Sequence, residues 1–122
     1  MKTILIIEDD ADIRQTLALL LQDQGYQVYE AENGSVALAL LEDIPHPCII
    51  LLDLFMPIMD GVEFLSLLRV IPNRVIATLP VVVVSAAPPD GEIVKTAVQN
   101  ASGFIKKPFE LDGLLAMIRQ YC

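Results

Sequence analysis

Five short apolar runs, Thr3–Ile7, Gln27–Ala31, Cys48–Leu52, Val81–Val84 and Gly103–Lys106, alternate along the chain with stretches of helical period. Ile13, Leu17, Leu20 and Leu21 are spaced to share one helical face, as are Val94, Ala97, Val98 and Ala101. Leu111, Leu114, Leu115 and Ile118 repeat the i, i+3, i+4, i+7 spacing of an amphipathic helix. Asp60 and Glu63 have capping-box spacing, with Asp in place of Ser or Thr, ahead of the apolar run Phe64–Ile71. Gly25 and Asn33-Gly34 punctuate the earlier segments. Two stretches fit less cleanly. "SVALALLEDI" is apolar nearly all round, and in "RVIPNRVIATLP" Pro72 should end the third helix and leave a long connection to the fourth strand.

Five strands alternating with five helices predict parallel strands joined by right-handed crossovers. "CIILL" and "VVVV" lack polar residues, as strands covered on both faces do. The expected fold is a small doubly wound α/β sandwich, with residues 1–122 forming one domain. In such sheets ligands sit outside the carboxyl ends of the strands, where the strand order reverses.

Composition narrows the function. Hydrophobic residues make up 54% and charged residues 20%, too apolar a chain for disorder. The net charge of −8 argues against direct nucleic-acid binding and against anionic membrane surfaces. No apolar run reaches the length of a membrane span, and "MKTILII" turns acidic too soon for a signal peptide. Repeats, low-complexity tracts and linkers are absent, and the chain ends directly after an amphipathic segment. Two cysteines, Cys48 and Cys122, do not make a disulfide framework. Cys48 reads as a small core residue and Cys122 as the chain end, so unpaired thiols and a cytoplasmic setting are expected.

The acidity is densest in "IIEDDADI", where Glu8, Asp9, Asp10 and Asp12 follow the first strand. Crowded carboxylates raise one another's cost of ionisation unless a cation or solvent relieves them. Asp10 and Asp12 read as first-turn helix residues that favour the macrodipole and cap the helix. Glu8 and Asp9 read differently, because strand three ends in Asp53 and would place its carboxylate opposite them. Strand four ends in Ser85, and strand five in Lys106-Lys107 before Pro108. Acids from two neighbouring strands form an oxygen cup suited to Mg²⁺, which keeps several waters and needs few protein ligands. A hydroxyl and an ammonium beside it make sense if a phosphoryl group comes to rest there. A carboxylate in the cup could then act as nucleophile and become an acyl phosphate. His46, between prolines in a loop, reads as surface.

"IIEDD", "LLDLFMPIMDG", "VVVVSA" and "FIKKPF", in that order and at four strand ends, resemble the receiver domain of two-component response regulators. The likeness covers essentially the whole chain and is of the stand-alone, chemotaxis-regulator kind. It implies a flavodoxin-like α/β sheet of five parallel strands in the order 2-1-3-4-5 with five helices. It further implies that Asp53 is the phospho-acceptor, attacking the phosphohistidine of a sensor histidine kinase or phosphotransfer protein. Asp9 would bind Mg²⁺ directly, Glu8 through water, and the Phe55 carbonyl would complete the protein's share beside Asp53. Ser85 would hydrogen-bond the phosphoryl oxygen and Lys107 would pair with it, while Phe104 holds the aromatic switch position. The output surface would be the helix after strand four, strand five and the last helix, roughly Pro89 to Tyr121. A downstream protein target or output domain would read it, and the resemblance allows a homodimer on phosphorylation. Such a domain is a signalling switch and not an enzyme acting on other substrates.

The chain departs from the family pattern in several places. Glu8 replaces the commoner Asp, and Ser85 stands where Thr is frequent. Phe55 and Ala87, two positions after Asp53 and Ser85, cannot orient an attacking water, so slow loss of phosphate is expected. "APPDG" stiffens the loop before the fourth predicted helix. Three other functions compete. An aspartyl phosphatase would want "DxD" after strand one, whereas the nucleophile candidate here follows strand three and reads "DLF". A flavodoxin-type cofactor binder would want a Ser/Thr/Gly-rich phosphate loop after strand one, where this chain has carboxylates, and no "GxxxxGK" loop supports a nucleotide-hydrolysing reading either. A degenerate receiver serving only as a docking module would not need the intact site.

Overall fold

The computed structural model describes residues 2–122. Its elements are β1 (Thr3–Ile7), α1 (Ala11–Asp23), β2 (Gln27–Ala31), α2 (Gly34–Leu41), β3 (Ile49–Leu52) and α3 (Gly61–Arg69). They continue as α4 (Arg74–Ala77), β4 (Val81–Ser85), α5 (Glu92–Val98), β5 (Gly103–Lys106) and α6 (Leu111–Tyr121). All strand pairs are parallel, in the order β2-β1-β3-β4-β5. The doubly wound flavodoxin-like sandwich is as expected, with one helix more than the sequence pattern predicts.

Side chains alternate between the faces of a strand, so β1, β3 and β4 divide their apolar residues between two cores. Leu5, Ile7, Ile50, Leu52, Val81 and Val83 face α2, α3 and α5, where Phe64, Leu65 and Leu68 pack on them. Ile4, Ile6, Ile49, Leu51, Val82 and Val84 face α1 and α6, against Leu21, Leu114, Leu115 and Ile118. Helices on both sides explain why these strands carry no polar alternation.

The helix starts use short polar side chains. Asp10, Asn33 and Asp60 each accept from the backbone N–H three residues on, at 2.9–3.0 Å, and so satisfy donors the first helical turn leaves free. The predicted faces are partly displaced. In α1 Ala18 and Leu21 are buried, while Ile13 and Leu20 stay largely exposed. In α5 Val94 and Ala97 are buried, Val98 is not, and Ala101 lies beyond the helix end.

The stretch after α3 resolves into α4, capped by Asn73, whose side chain accepts from the N–H groups of Val75 and Ile76. Arg69 holds it in place. Its Nη1 donates to the carbonyls of Ala77 (3.1 Å) and Leu79 (2.7 Å), and its Nε to that of Asn100 (2.8 Å). Burial lowers the Arg69 pKa from its usual value.

The expectation for the cysteines is overturned. Cys48 and Cys122 are joined by a disulfide across 74 residues of sequence. Cys48 stands one residue before β3 and Cys122 one residue after α6. The last crossover returns α6 antiparallel to the strands, so its end arrives where β3 begins. Cysteine usage therefore gives no argument for a reduced compartment. No described helix is long and apolar enough to cross a membrane.

Candidate functional site

The parallel register carries five residues to one edge of the sheet. Ile7 is aligned with both Ala31 and Leu52, and Ser85 with Lys106. The backbone ladder runs one step further, through Glu8 N–H to Ala31 O (3.0 Å), Asp53 N–H to Ile7 O (3.0 Å) and Lys107 N–H to Ser85 O (2.9 Å). Each residue that follows a strand is thus fixed in place by main-chain bonds before its side chain does anything. Glu8, Asp53, Ser85 and Lys107 form a row, and Asp9 adds a fifth group at the rim.

Carboxylate oxygens of Glu8, Asp9 and Asp53 lie within 4.8 Å of one another. Glu8 is buried (5% exposed), Asp53 is half-buried and Asp9 is exposed. Lys107 Nζ is 3.0 Å from Glu8 Oε1 and 4.0 Å from Asp53 Oδ1. One ammonium therefore stands against three carboxylates. The Glu8 pKa is raised, first by burial and then by the neighbouring Asp53 carboxyl, with Lys107 opposing both. Glu8 Oε2 is buried and has no hydrogen-bond partner. An orphaned buried carboxylate oxygen in an all-oxygen cup is the donor set that a hard divalent cation satisfies.

Ser85 is fully buried, and its Oγ accepts from the Ala87 N–H at 3.1 Å. Its hydroxyl proton remains available to an acceptor outside the strand. The Lys107–Pro108 peptide is cis. Phe55 is exposed, and its N–H reaches Asp53 Oδ1 only at 3.5 Å. Phe104 is half-buried, aligned with Val83, and packs at the margin of the α2/α3/α5 core. His46 is exposed, away from the cup. Asp10 caps α1, and Lys106 points to solvent.

The loop after Asp53 is tightly folded. Ile58 has φ +69°, and the Met59 N–H donates to Pro57 O at 2.7 Å, a three-residue γ-turn around a β-branched residue. Gly61 then brings α3 against the strand end, its N–H bonded to Leu54 O at 2.9 Å.

One residue that matters here was not predicted. Arg14, in the first turns of α1, donates from Nη1 to the Glu8 carbonyl (2.8 Å) and from Nε to Glu30 on β2 (3.2 Å). It ties the acidic turn to the neighbouring strand and so positions Glu8. Its spacing of six from Glu8 matches no motif, and Glu30 is beside it only because β2 lies next to β1.

Beside the cup, Ile13, Leu17 and Leu20 of α1 and Phe109 and Leu111 of the β5–α6 junction line an open apolar groove of about 400 Å³. Ile13, Leu17 and Phe109 also wall the space under Glu8, Asp53 and Lys107, so groove and cup are continuous.

Comparisons with known proteins agree with this geometry. The family described as the response regulator receiver domain matches residues 4–119. The transcriptional regulatory protein KdpE of Mycobacterium tuberculosis is 34% identical over 119 residues, covering 98% of this chain and 50% of its own. Regulatory protein AtoC of Escherichia coli is 33% identical, over 96% of this chain and 24% of its own. The chain thus spans half or less of the length of these curated relatives. Among solved structures, the Vibrio cholerae chemotaxis protein CheY4 superposes with a TM-score of 0.88 at 28% identity, covering 100% of this chain and 99% of the other. The Thermotoga maritima response regulator TrrA, in complex with Mg²⁺ and BeF, gives a TM-score of 0.84 at 25% identity, with both chains covered completely.

Proposed function

The chain belongs to the response regulator receiver domain family of two-component signalling, and from that footing we propose that Asp53 accepts a phosphoryl group, with Mg²⁺, from the phosphohistidine of a sensor kinase or phosphotransfer protein. The observation that carries this reading is the cup itself, in which Glu8, Asp9 and Asp53 converge from adjacent strand ends with Lys107 as their only close cation among the described residues. TrrA, a relative of the same fold, binds Mg²⁺ with BeF.

Glu8, Asp9, Asp53 and the Phe55 carbonyl are the groups that would hold Mg²⁺. When bound, the ion supplies positive charge that offsets the carboxylates' repulsion and the charge building on the phosphoryl oxygens. Asp53 forms the new O–P bond as the donor's P–N bond breaks, and the imidazole leaves with the bonding electron pair and takes up a proton. Ser85 has its hydroxyl proton free to donate to a phosphoryl oxygen, because its lone pair already serves the Ala87 N–H. Lys107 has three donors and stands between Glu8 and Asp53, so it can turn to a phosphoryl oxygen with little motion.

The apolar groove between α1 and the start of α6 favours a protein as donor, since a small phosphodonor has no use for Ile13 and Leu20. The output surface would be α5, β5 and α6, with Phe104 following Ser85 inward. A downstream protein or an output domain would read it, in the cytoplasm, and the chain would catalyse nothing on other substrates. With apolar Phe55 and Ala87 flanking the acceptor, the phosphoryl group would be long-lived, and rapid hydrolysis in a timed decay would contradict this.

The test is intact mass after incubation with Mg²⁺ and acetyl phosphate, for the parent and Asp53→Asn. One added phosphoryl group that needs Mg²⁺ and is absent from the variant is the expected result. An addition retained in Asp53→Asn would refute the assignment. If acetyl phosphate fails, phosphotransfer from a purified kinase decides between a kinase-only receiver and a docking module.

A further inference from the structure

The disulfide lies at the opposite end of the sheet from the acidic cup and takes no part in phosphoryl transfer. Cys48 is fixed by its N–H bond to Thr3 O (2.9 Å) beside the start of β1. Cys122 closes the last turn of α6, its N–H bonded to Ile118 O (2.9 Å). The Cα atoms are 5.4 Å apart, inside the range over which two cysteines can bond without backbone movement. Both residues are partly exposed, so a solvent thiol can reach them.

The fold has other means of seating α6. Leu114, Leu115 and Ile118 are buried in the core, and Tyr121 Oη donates to Ser102 O at 3.1 Å just ahead of β5. Beyond Ile118 the helix end is held by partial packing of Tyr121 and Cys122 on the core, by that exposed hydrogen bond and by the disulfide. The buried contacts of α6 do not depend on the covalent link, which acts on the last turn beyond Ile118.

We propose that Cys48 and Cys122 form a reversible thiol–disulfide site, which clips the end of α6 to the start of β3 when oxidised and frees it when reduced. The oxidant class is a small-molecule disulfide such as glutathione disulfide. One protein thiolate attacks a glutathione sulfur, forming a mixed disulfide and releasing one glutathione thiol. The second protein thiolate attacks the protein sulfur of that adduct and releases the other. Two protein thiols are oxidised, one glutathione disulfide is reduced to two thiols, and the two protons pass to the leaving thiolates. The held geometry makes the second step intramolecular, so the adduct should not accumulate.

The parent chain is equilibrated in glutathione buffers from fully reduced to fully oxidised, then alkylated and weighed intact. The expected result is one transition between a doubly alkylated and an unalkylated monomer, with almost no glutathione adduct. Cys48→Ser and Cys122→Ser should each accumulate one adduct and never the unalkylated, adduct-free species. Hydrogen exchange on the parent in both states should place the change at Ile118–Cys122, slowed about tenfold or more by oxidation, with the cup unaffected. A persistent adduct in the parent, disulfide-linked dimers, or equal exchange in both states would overturn the proposal. So would a bond that stays closed under excess dithiothreitol in the folded chain, since a permanent staple is not a switch. None of these readouts needs Asp53, so they stand or fall apart from the phospho-acceptor reading.

Discussion

Gly61→Ala should injure the acidic cup from outside it. A Cβ added at Gly61 would lie 2.8 Å from the Asp53 carbonyl oxygen, from Leu54 Cα and from Leu54 Cδ2. Ordinary contact begins near 3.4 Å, so each approach is about 0.6 Å too short. Two of the three atoms belong to the main chain at the end of β3, and no rotamer change can move them. Overpacking of this kind costs about 1–3 kcal/mol, while Ala is favoured over Gly in a helix by roughly 0.5–1 kcal/mol. Because two of the three clashes are with main chain, the upper middle of that range, about 2–2.5 kcal/mol, applies, and the net expectation is a loss of about 1–2 kcal/mol. At this chain length each kcal/mol moves Tm by about 4 °C, which puts the variant roughly 4–8 °C below the parent. Gly113→Ala is the control, because nothing lies within 4 Å of its Cβ. Helix propensity alone should raise that variant's Tm by about 2–4 °C. Calorimetric melts give the stability and the initial rate with acetyl phosphate gives the function. Moving the Asp53 peptide shifts its carboxylate against Glu8 and Lys107, and a rate about tenfold lower is expected for Gly61→Ala only. A Gly61→Ala protein that melts at the parental temperature and phosphorylates at the parental rate would refute the reasoning.

Three further predictions rest on single observations. Glu8 has its folded pKa raised above the ordinary value near 4.5, so its contribution is complete below that value and is lost as pH rises through the folded one. Urea midpoints in EDTA should fall over that interval for the parent and stay flatter for Glu8→Gln, and parallel curves would contradict this. Arg69→Ala frees three carbonyls and should cost about 2–3 kcal/mol in urea unfolding, with proteolytic nicking increased at residues 70–80; an unchanged midpoint would deny Arg69 its role under α4. Ile58→Gly removes a side chain from a φ of +69° and should stabilise the chain by about 1 kcal/mol, whereas a lower Tm would mean that the turn is not strained.

The parts legible in the sequence are those set by local pattern plus one topological rule. Uninterrupted apolar runs marked β3 and β4 as central strands, and the rule that ligands gather at carboxyl ends turned Glu8, Asp9, Asp53, Ser85 and Lys107 into one site. The Asp60 cap follows from its capping-box spacing to Glu63, and the Asp10 cap from its place among the acids that open the first helix. What stayed hidden depends on partners distant in sequence. Arg69 reads as an ordinary helix-end cation until α4 and the β5 approach are in place around it, and the Arg14 bond to Glu30 exists only because β2 borders β1. Cys48 and Cys122, 74 residues apart, offer no pattern at all. Ile13 and Leu20 share the predicted face of α1 with Leu17 and Leu21 yet stay exposed, because spacing identifies an apolar face but not how much of it a neighbouring element covers.

The parallel order of the strands has a consequence for how the chain acquires its charge cluster. Ile7 is aligned with Leu52 across the β1–β3 pair, so Glu8 and Asp53 become neighbours only after the whole β1–α1–β2–α2 crossover has closed. No short fragment, and no early part of a growing chain, can assemble the three-carboxylate cup. A divalent ion that prefers the assembled cup therefore binds the finished topology and not the open chain. By mass action such an ion would favour completion of folding, roughly in proportion to the logarithm of its concentration over its dissociation constant once the concentration exceeds that constant.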